Sequence, residues 1–263
     1  MELHPHEQAI TVDGVNIVLA RRGTGRPLVW LHSLEGTDTA APWFAGLSEH
    51  FDVIAPSLPG FGHSELPREF RRIDDLVHFQ ATLLDHLDVR GAVLAGCGFG
   101  GWLAAELAAR SCERLSGLVL VDAFGVKHGG RDDRDIADIH VEPAERMLEL
   151  TWFDPQAGRS DPASMSDADL LRIARSRETF TFFGWKPYLH NPGLKRWLRR
   201  IRVPAQVLWG EADRWVTPAY GRRYAELIPN AGFALIERAG HYPHLERPDA
   251  FVRELQSFAA RLG

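Results

Sequence analysis

Four short segments carry the residues that could do chemistry, and they occur in a fixed order. His32-Ser33-Leu34-Glu35-Gly36 closes an apolar run, and Gly96-Cys97-Gly98-Phe99-Gly100-Gly101 forms a glycine-rich turn. Gly210-Glu211-Ala212-Asp213 follows another apolar run, and Gly240-His241-Tyr242-Pro243-His244 lies near the end. His241 can take a proton from a reacting group near neutral pH. Asp213 can fix the imidazole tautomer and stabilise the imidazolium. Backbone N–H groups of Leu34 and Phe99 can receive a developing oxyanion, Phe99 with help from a helix N-terminus. A serine at position 98 would complete G-x-S-x-G, the strand-to-helix turn that presents a reactive hydroxyl. The chain has Gly98 there.

These residues need a scaffold, and the apolar pattern supplies one. Residues 8–22 alternate around Asp13-Gly14, a hairpin signal. Pro27–His32, Phe51–Pro56, Ala92–Cys97, Leu115–Asp122, Ala205–Trp209 and Phe233–Glu237 are short apolar runs of the buried-strand kind. Ile73, Leu76, Phe79, Leu83, Leu84 and Leu87 fall at helical spacing within Arg72–Leu87. Further helices are expected over Phe99–Arg110, Pro218–Leu227 and Pro248–Leu262. Alternation of strand and helix predicts an α/β fold, a mostly parallel sheet flanked by helices. From 124 to 202 the alternation stops. That stretch is charged, has helical pieces at Pro143–Leu150 and Asp167–Ser176, and carries Phe180, Phe182, Phe183, Trp185 and Tyr188. The expected organisation is an α/β core (1–123 and 203–263) interrupted by a helical insertion (124–202).

The ordered set of turn, acid and histidine resembles the α/β-hydrolase family over essentially the whole chain, in its capped esterase or C–C-bond hydrolase form. Pro59-Gly60-Phe61-Gly62-His63-Ser64 resembles the family's turn after an early strand. The resemblance implies a cap over residues 124–202, His241 and Asp213 as catalytic base and acid, and an oxyanion hole at Leu34 and Phe99. It implies a small-molecule substrate and neither cofactor nor metal. Ser33, Trp185, Phe182 and Tyr188 are expected to line the substrate pocket, and His32, His63 and His244 to support loops.

Two positions depart from the family pattern. Ser33 stands where the H-G-x oxyanion turn has glycine, and Gly98 stands at the nucleophile. Cys97 is no substitute: G-x-C-x-G would need glycine at 95 and 99, which are Ala95 and Phe99. Glycine relieves the strain of the elbow, about 1–3 kcal/mol for another residue. It also removes ordinary acyl-enzyme chemistry through residue 98, a loss of about 10⁶-fold that leaves roughly 10³–10⁴ over water.

Four accounts follow: a hydrolase whose serine was replaced; an enzyme using His241 directly as general base on water or substrate; Ser33 as a displaced nucleophile, for which the sequence offers no geometry; or a non-catalytic binder that keeps the pocket. Gly96-x-Gly98-x-x-Gly101, with Asp122 about 20 residues on, also matches a dinucleotide fingerprint. That motif usually opens the first strand of its sheet, and it leaves Asp213 and His241 unexplained. The favoured expectation is an enzyme acting on a small, largely apolar carbonyl or ester compound.

Composition narrows the rest. A length of 263 residues suits one large domain or a core with an inserted subdomain. Net charge of −5 gives no footprint for nucleic acid or an anionic membrane. Lys195, Arg196, Arg199, Arg200 and Arg202 are expected to be a solvated helix face. Two cysteines without ligand spacing and no basic-then-apolar N-terminus suggest a cytoplasmic protein.

Overall fold

The computed structural model describes residues 3–130 and 132–262. Met1 and Glu2 of the N-terminal segment read above lie outside them. Among the described residues, eight strands form one sheet in the order β1-β2-β4-β3-β5-β6-β7-β8. β1 (Glu7–Val12) and β2 (Val15–Arg22) form the expected hairpin; Asp13 and Gly14 both take positive φ, 48° and 79°, as a two-residue turn of this hand requires. β2 pairs antiparallel with β4 (Phe51–Pro56), and every later pairing is parallel. β3 (Arg26–Leu31), β5 (Ala92–Cys97), β6 (Leu115–Val121) and β7 (Ala205–Gly210) make the centre, with β8 (Ala231–Ile236) at the edge.

β3 lies between β4 and β5, so the chain reverses its direction of travel across the sheet there. Such a switch point opens a crevice beyond the carboxyl ends of the strands. Ser33 follows β3 and Gly98 follows β5, one on each side of it.

α1 (Pro42–Ser48) was not legible as a separate helix; it buries Trp43, Phe44 and Leu47, and packs against α9 (Pro248–Ala260). α2 (Ile73–His86) buries Leu76, Phe79, Leu83 and Leu84 of the predicted stripe and half-buries Ile73, and its Phe79 and Leu83 close a small core with Val12, Val15 and Ile17. α3 (Gly98–Arg110) is buried along its length apart from Arg110, and it packs on β5 and β6. This close seating needs Gly101: a Cβ there would come within 2.6 Å of the Ala123 Cβ.

Between β6 and β7 lie α4 (Ala144–Thr151), α5 (Asp167–Gly184) and α6 (Leu194–Trp197), with no strand of the sheet among the described residues. α5 starts at the Ser166 cap, whose Oγ accepts the Asp169 N–H at 3.2 Å. It runs two turns past the predicted end because Phe180 and Phe183, one turn apart, both bury. The five basic residues between 195 and 202 are exposed. α7 (Pro218–Ala225) and α8 (Pro243–Glu246) complete the helices. No helix of the described residues is long and apolar enough to cross a membrane.

Candidate active site

His241 follows β8 and is fully buried. Its Nδ1 lies 2.8 Å from Asp213 Oδ2, so with the ring proton on Nδ1 the imidazole donates to that carboxylate. Asp213 is itself fixed: its Oδ1 accepts the N–H groups of Trp215 and Val216 at 2.9 and 3.0 Å. The ring is clamped, stacked on Phe124 at 5.1 Å between centroids and tilted against Trp215 at 4.6 Å. The His241 backbone N–H donates to the Thr151 carbonyl at 2.6 Å. His241 Nε2 has no protein partner.

That nitrogen faces Gly98. The glycine has φ +50°, and a Cβ built on it would lie 2.9 Å from His241 Nε2. The same point is 2.6 Å from Ser33 Oγ and 3.1 Å from Ser33 Cβ. Ser33 therefore fills the volume into which a side chain at 98 would project. Its Oγ also accepts the N–H of Phe99 at 3.1 Å, at the start of α3. The two departures from the family pattern meet at one place.

Ser33 is held from several sides. Its N–H donates to Glu35 Oε1 at 3.2 Å. Its carbonyl accepts the Nδ1–H of His32 at 2.6 Å, and His32 Nε2 accepts the Leu58 N–H at 2.9 Å. Burial lowers the His32 pKa to about 4, so the ring is a neutral brace across two loops, the supporting role expected of it. Leu34, the other expected oxyanion donor, is the next residue and is half-buried.

Asp122, after β6, is an acid whose role the sequence did not disclose. Its Oδ1 accepts the Gly210 N–H at 2.9 Å. One ligand atom each of Asp122, Asp213 and His241 lie within 4.8 Å of one another. Burial, then the Asp213 charge, pushes the Asp122 carboxyl well above the usual range, which favours its protonated form. Three such residues are a possible ligand set for a metal, but Asp213 Oδ2 and His241 Nδ1 already satisfy each other. The dinucleotide reading fails here: Asp122 is buried against protein rather than free for a ribose, and Ser33 and His241 fill the space above Gly98. Cys97 is also buried, and burial raises its thiol pKa well above normal, as befits a packing residue.

Three of the expected lining residues make other contacts. Phe182 and Trp185 are 44% and 56% exposed. Phe182 packs on Phe183, and Trp185 packs on His140. Tyr188 is tied into a loop, its hydroxyl bonded to the Ile139 N–H and the Ala137 carbonyl. The helical phase of α5 turns Phe180 inward instead. Phe180 meets Phe99 and Phe124, and Phe61 meets Phe99, so the reacting centre has an apolar aromatic wall.

A cavity of about 490 Å³ begins beyond Glu35 and His244 and is lined also by Thr37, Trp43, Phe61 and Ser176. His244 packs against Trp30, Trp43 and Phe251; neither ring nitrogen has a hydrogen-bond partner, and Nε2 lies 3.7 Å from Glu35 Oε1. Burial lowers the His244 pKa to about 3 and raises that of Glu35 to about 8, so both are neutral near pH 7. His63, which the sequence assigned to loop support, is exposed at the cavity mouth.

Comparison with known proteins agrees with this architecture. Residues 20–254 match the family model described as alpha/beta hydrolase family. The chain is 28% identical to a 2-hydroxy-6-oxo-2,4-heptadienoate hydrolase of Pseudomonas putida, over 95% of each chain. It is 26% identical to a 2-hydroxymuconate semialdehyde hydrolase of Pseudomonas sp., over 95% of this chain and 93% of the relative. In fold it is similar to a meta-cleavage product hydrolase from Pseudomonas fluorescens (TM-score 0.79, 23% identity, 97% and 98% covered). It is similar also to an esterase from Rhodococcus sp. (TM-score 0.75, 24% identity, 98% and 100% covered). With the family match spanning both halves of the sheet and the segment between them, the chain belongs to the alpha/beta hydrolase family.

Proposed function

We propose that this protein is a hydrolase of small, largely apolar esters or carbonyl compounds, with His241 as its base and Asp213 as the acid that orients it. One observation carries the reading. His241 is buried, bonded through Nδ1 to Asp213 at 2.8 Å, and presents an unpartnered Nε2 at the crevice beside Gly98. The unpartnered Nε2 is aimed at the same point that Ser33 Oγ faces, whereas both nitrogens of buried His32 are bonded. The Phe99 N–H, at the head of α3, and the Leu34 N–H are the oxyanion donors in this reading. Residues 124–202 act as the cap, bringing Phe180 and Trp215-facing surface over the centre. The aromatic wall favours an apolar acyl or ketone group. The relatives named as hydrolases of oxo-dienoate and semialdehyde compounds support cleavage next to a carbonyl.

The test is His241→Ala assayed on a panel of aryl esters and 1,3-dicarbonyl compounds. Turnover should fall by about 10³-fold or more. Turnover that survives the substitution overturns the assignment. Tight ligand binding without product, indifferent to His241, would instead identify a binding protein.

A further inference from the structure

We propose that Ser33 is the nucleophile of this protein, moved from the elbow to the facing oxyanion turn. The inference rests on the base reading of His241 above. Its evidence is spatial: Ser33 Oγ and His241 Nε2 lie 2.6 and 2.9 Å from the single point where a side chain on residue 98 would begin. With Ser33 Oγ in its present position, a serine at 98 has no room there. Glycine at 98 is therefore the complement of serine at 33, and the pair amounts to an exchange of the two residue types across the crevice.

Three further features suit Ser33 to the role. It is fully buried, next to Phe99, whose ring packs on Phe61 and Phe180. Its backbone is pinned at both polar groups, by Glu35 and His32, so the side chain is pre-positioned rather than free. Its Oγ accepts from Phe99 N–H, which leaves the hydroxyl proton to be given elsewhere, and His241 Nε2 is an unpartnered acceptor facing the same point. Contacts of this kind tighten when substrate is bound.

In the acylation step, Ser33 Oγ forms a bond to the substrate carbonyl carbon as its proton passes to His241 Nε2. The carbonyl π pair moves onto oxygen, which takes over the Phe99 N–H that Oγ releases, with Leu34 N–H as second donor. The intermediate collapses, the bond to the leaving group breaks, and that group takes the proton from His241. Water, deprotonated by His241, then attacks the acyl-Ser33 carbonyl. Collapse returns the proton to Ser33 Oγ and frees the acid.

The experiment treats the full chain with a fluorophosphonate probe, digests it, and locates the adduct by mass spectrometry. In parallel, Ser33→Ala and His241→Ala are assayed on aryl esters, with melting temperatures to confirm folding. The expected result is an adduct on the peptide bearing Ser33, absent in both variants, and a loss of at least about 10³-fold in kcat/KM for each. Labelling of the unaltered protein needs no substitution, so a variant that fails to fold does not remove the test. Ser33→Ala with full or raised activity, while His241→Ala is dead, overturns the nucleophile and leaves the base reading standing. Activity surviving in His241→Ala overturns the base reading. A parent protein that neither takes the probe nor turns over any ester or 1,3-dicarbonyl compound overturns both.

Discussion

Ser33 Oγ lies 2.6 Å from the position that a Cβ on Gly98 would occupy, although the two residues sit on different strand ends. Adding a side chain at 98 therefore meets an occupied volume as well as an unfavourable φ of +50°. Gly98→Ser alone is expected to cost about 1–3 kcal/mol for the backbone strain. Crowding adds on the order of 1–3 kcal/mol more. Combining it with Ser33→Gly should recover the crowding part, giving a coupling of about 1 kcal/mol or more. Urea denaturation of the two singles and the double measures this. Simple additivity would show that the two positions do not compete. Esterase activity should rise in the double and not in Gly98→Ser alone.

The two acids near His241 should respond differently to the same change. Burial favours the protonated form of Asp122, so Asp122→Asn keeps that charge state. The expected drop in kcat is less than about tenfold, where Asp213→Asn loses about 10³–10⁴-fold by presenting the wrong hydrogen-bond partner to Nδ1. Steady-state kinetics on whichever ester turns over best decides it. Equal losses would mean that the acids share the role.

Glu35 gives a pH signature. Its folded pKa of about 8 is raised above the ordinary carboxylate value, so the folded state binds the proton more tightly than the unfolded chain. Its contribution to stability is complete below the unfolded pKa and is lost as pH rises through about 8. His32 and His244, lowered to about 4 and 3, act oppositely: their contribution is complete above the unfolded histidine value and is lost as pH falls toward those numbers. Glu35→Gln should flatten the decline in denaturation midpoint between about pH 5 and pH 8. An unchanged slope would show that Glu35 is ionised in the folded protein.

The aromatic residues of α5 separate by helical phase. Phe180→Ala removes a buried ring in contact with Phe99, Phe124 and Trp215, and should destabilise by about 3–5 kcal/mol. Phe182→Ala and Trp185→Ala, at exposed positions, should stay within about 0.5 kcal/mol and leave KM unchanged. Thermal melts and Michaelis kinetics of the three variants check the assignment. A raised KM in Trp185→Ala would return that ring to the substrate site.

Much of this was legible because it is written locally. Asp13-Gly14 marks the hairpin, small apolar runs mark β3 to β7, and the turn at 96–101 carries its own geometry. What escaped the sequence depends on contacts between distant segments. Asp122 meets Asp213 only because β6 and β7 are neighbours. Ser33 meets Gly98 only because β3 and β5 flank the switch point, so two departures that seemed separate became one. The contacts of Phe182 and Trp185 escaped for a different reason. A helix thought to stop at Ser176 gives no phase to the rings that follow, and only its continuation to Gly184 decides which turn inward.

α5 is tied to the core at the Gly60–Ser64 turn. Thr179 Oγ1 donates to the Gly60 carbonyl at 2.8 Å and Arg175 to the Ser64 carbonyl at 2.7 Å. Ser33 and His241 beneath it have no exposed surface, and the neighbouring cavity stops at Glu35 and His244. We expect ligand entry to require that tie to break. The observed association rate would level off at high ligand concentration, at the frequency with which α5 lifts, and solvent viscosity would slow it. Thr179→Val, which deletes one strand of the tether, would raise that ceiling. The clock of this protein would then be set some distance from its chemistry.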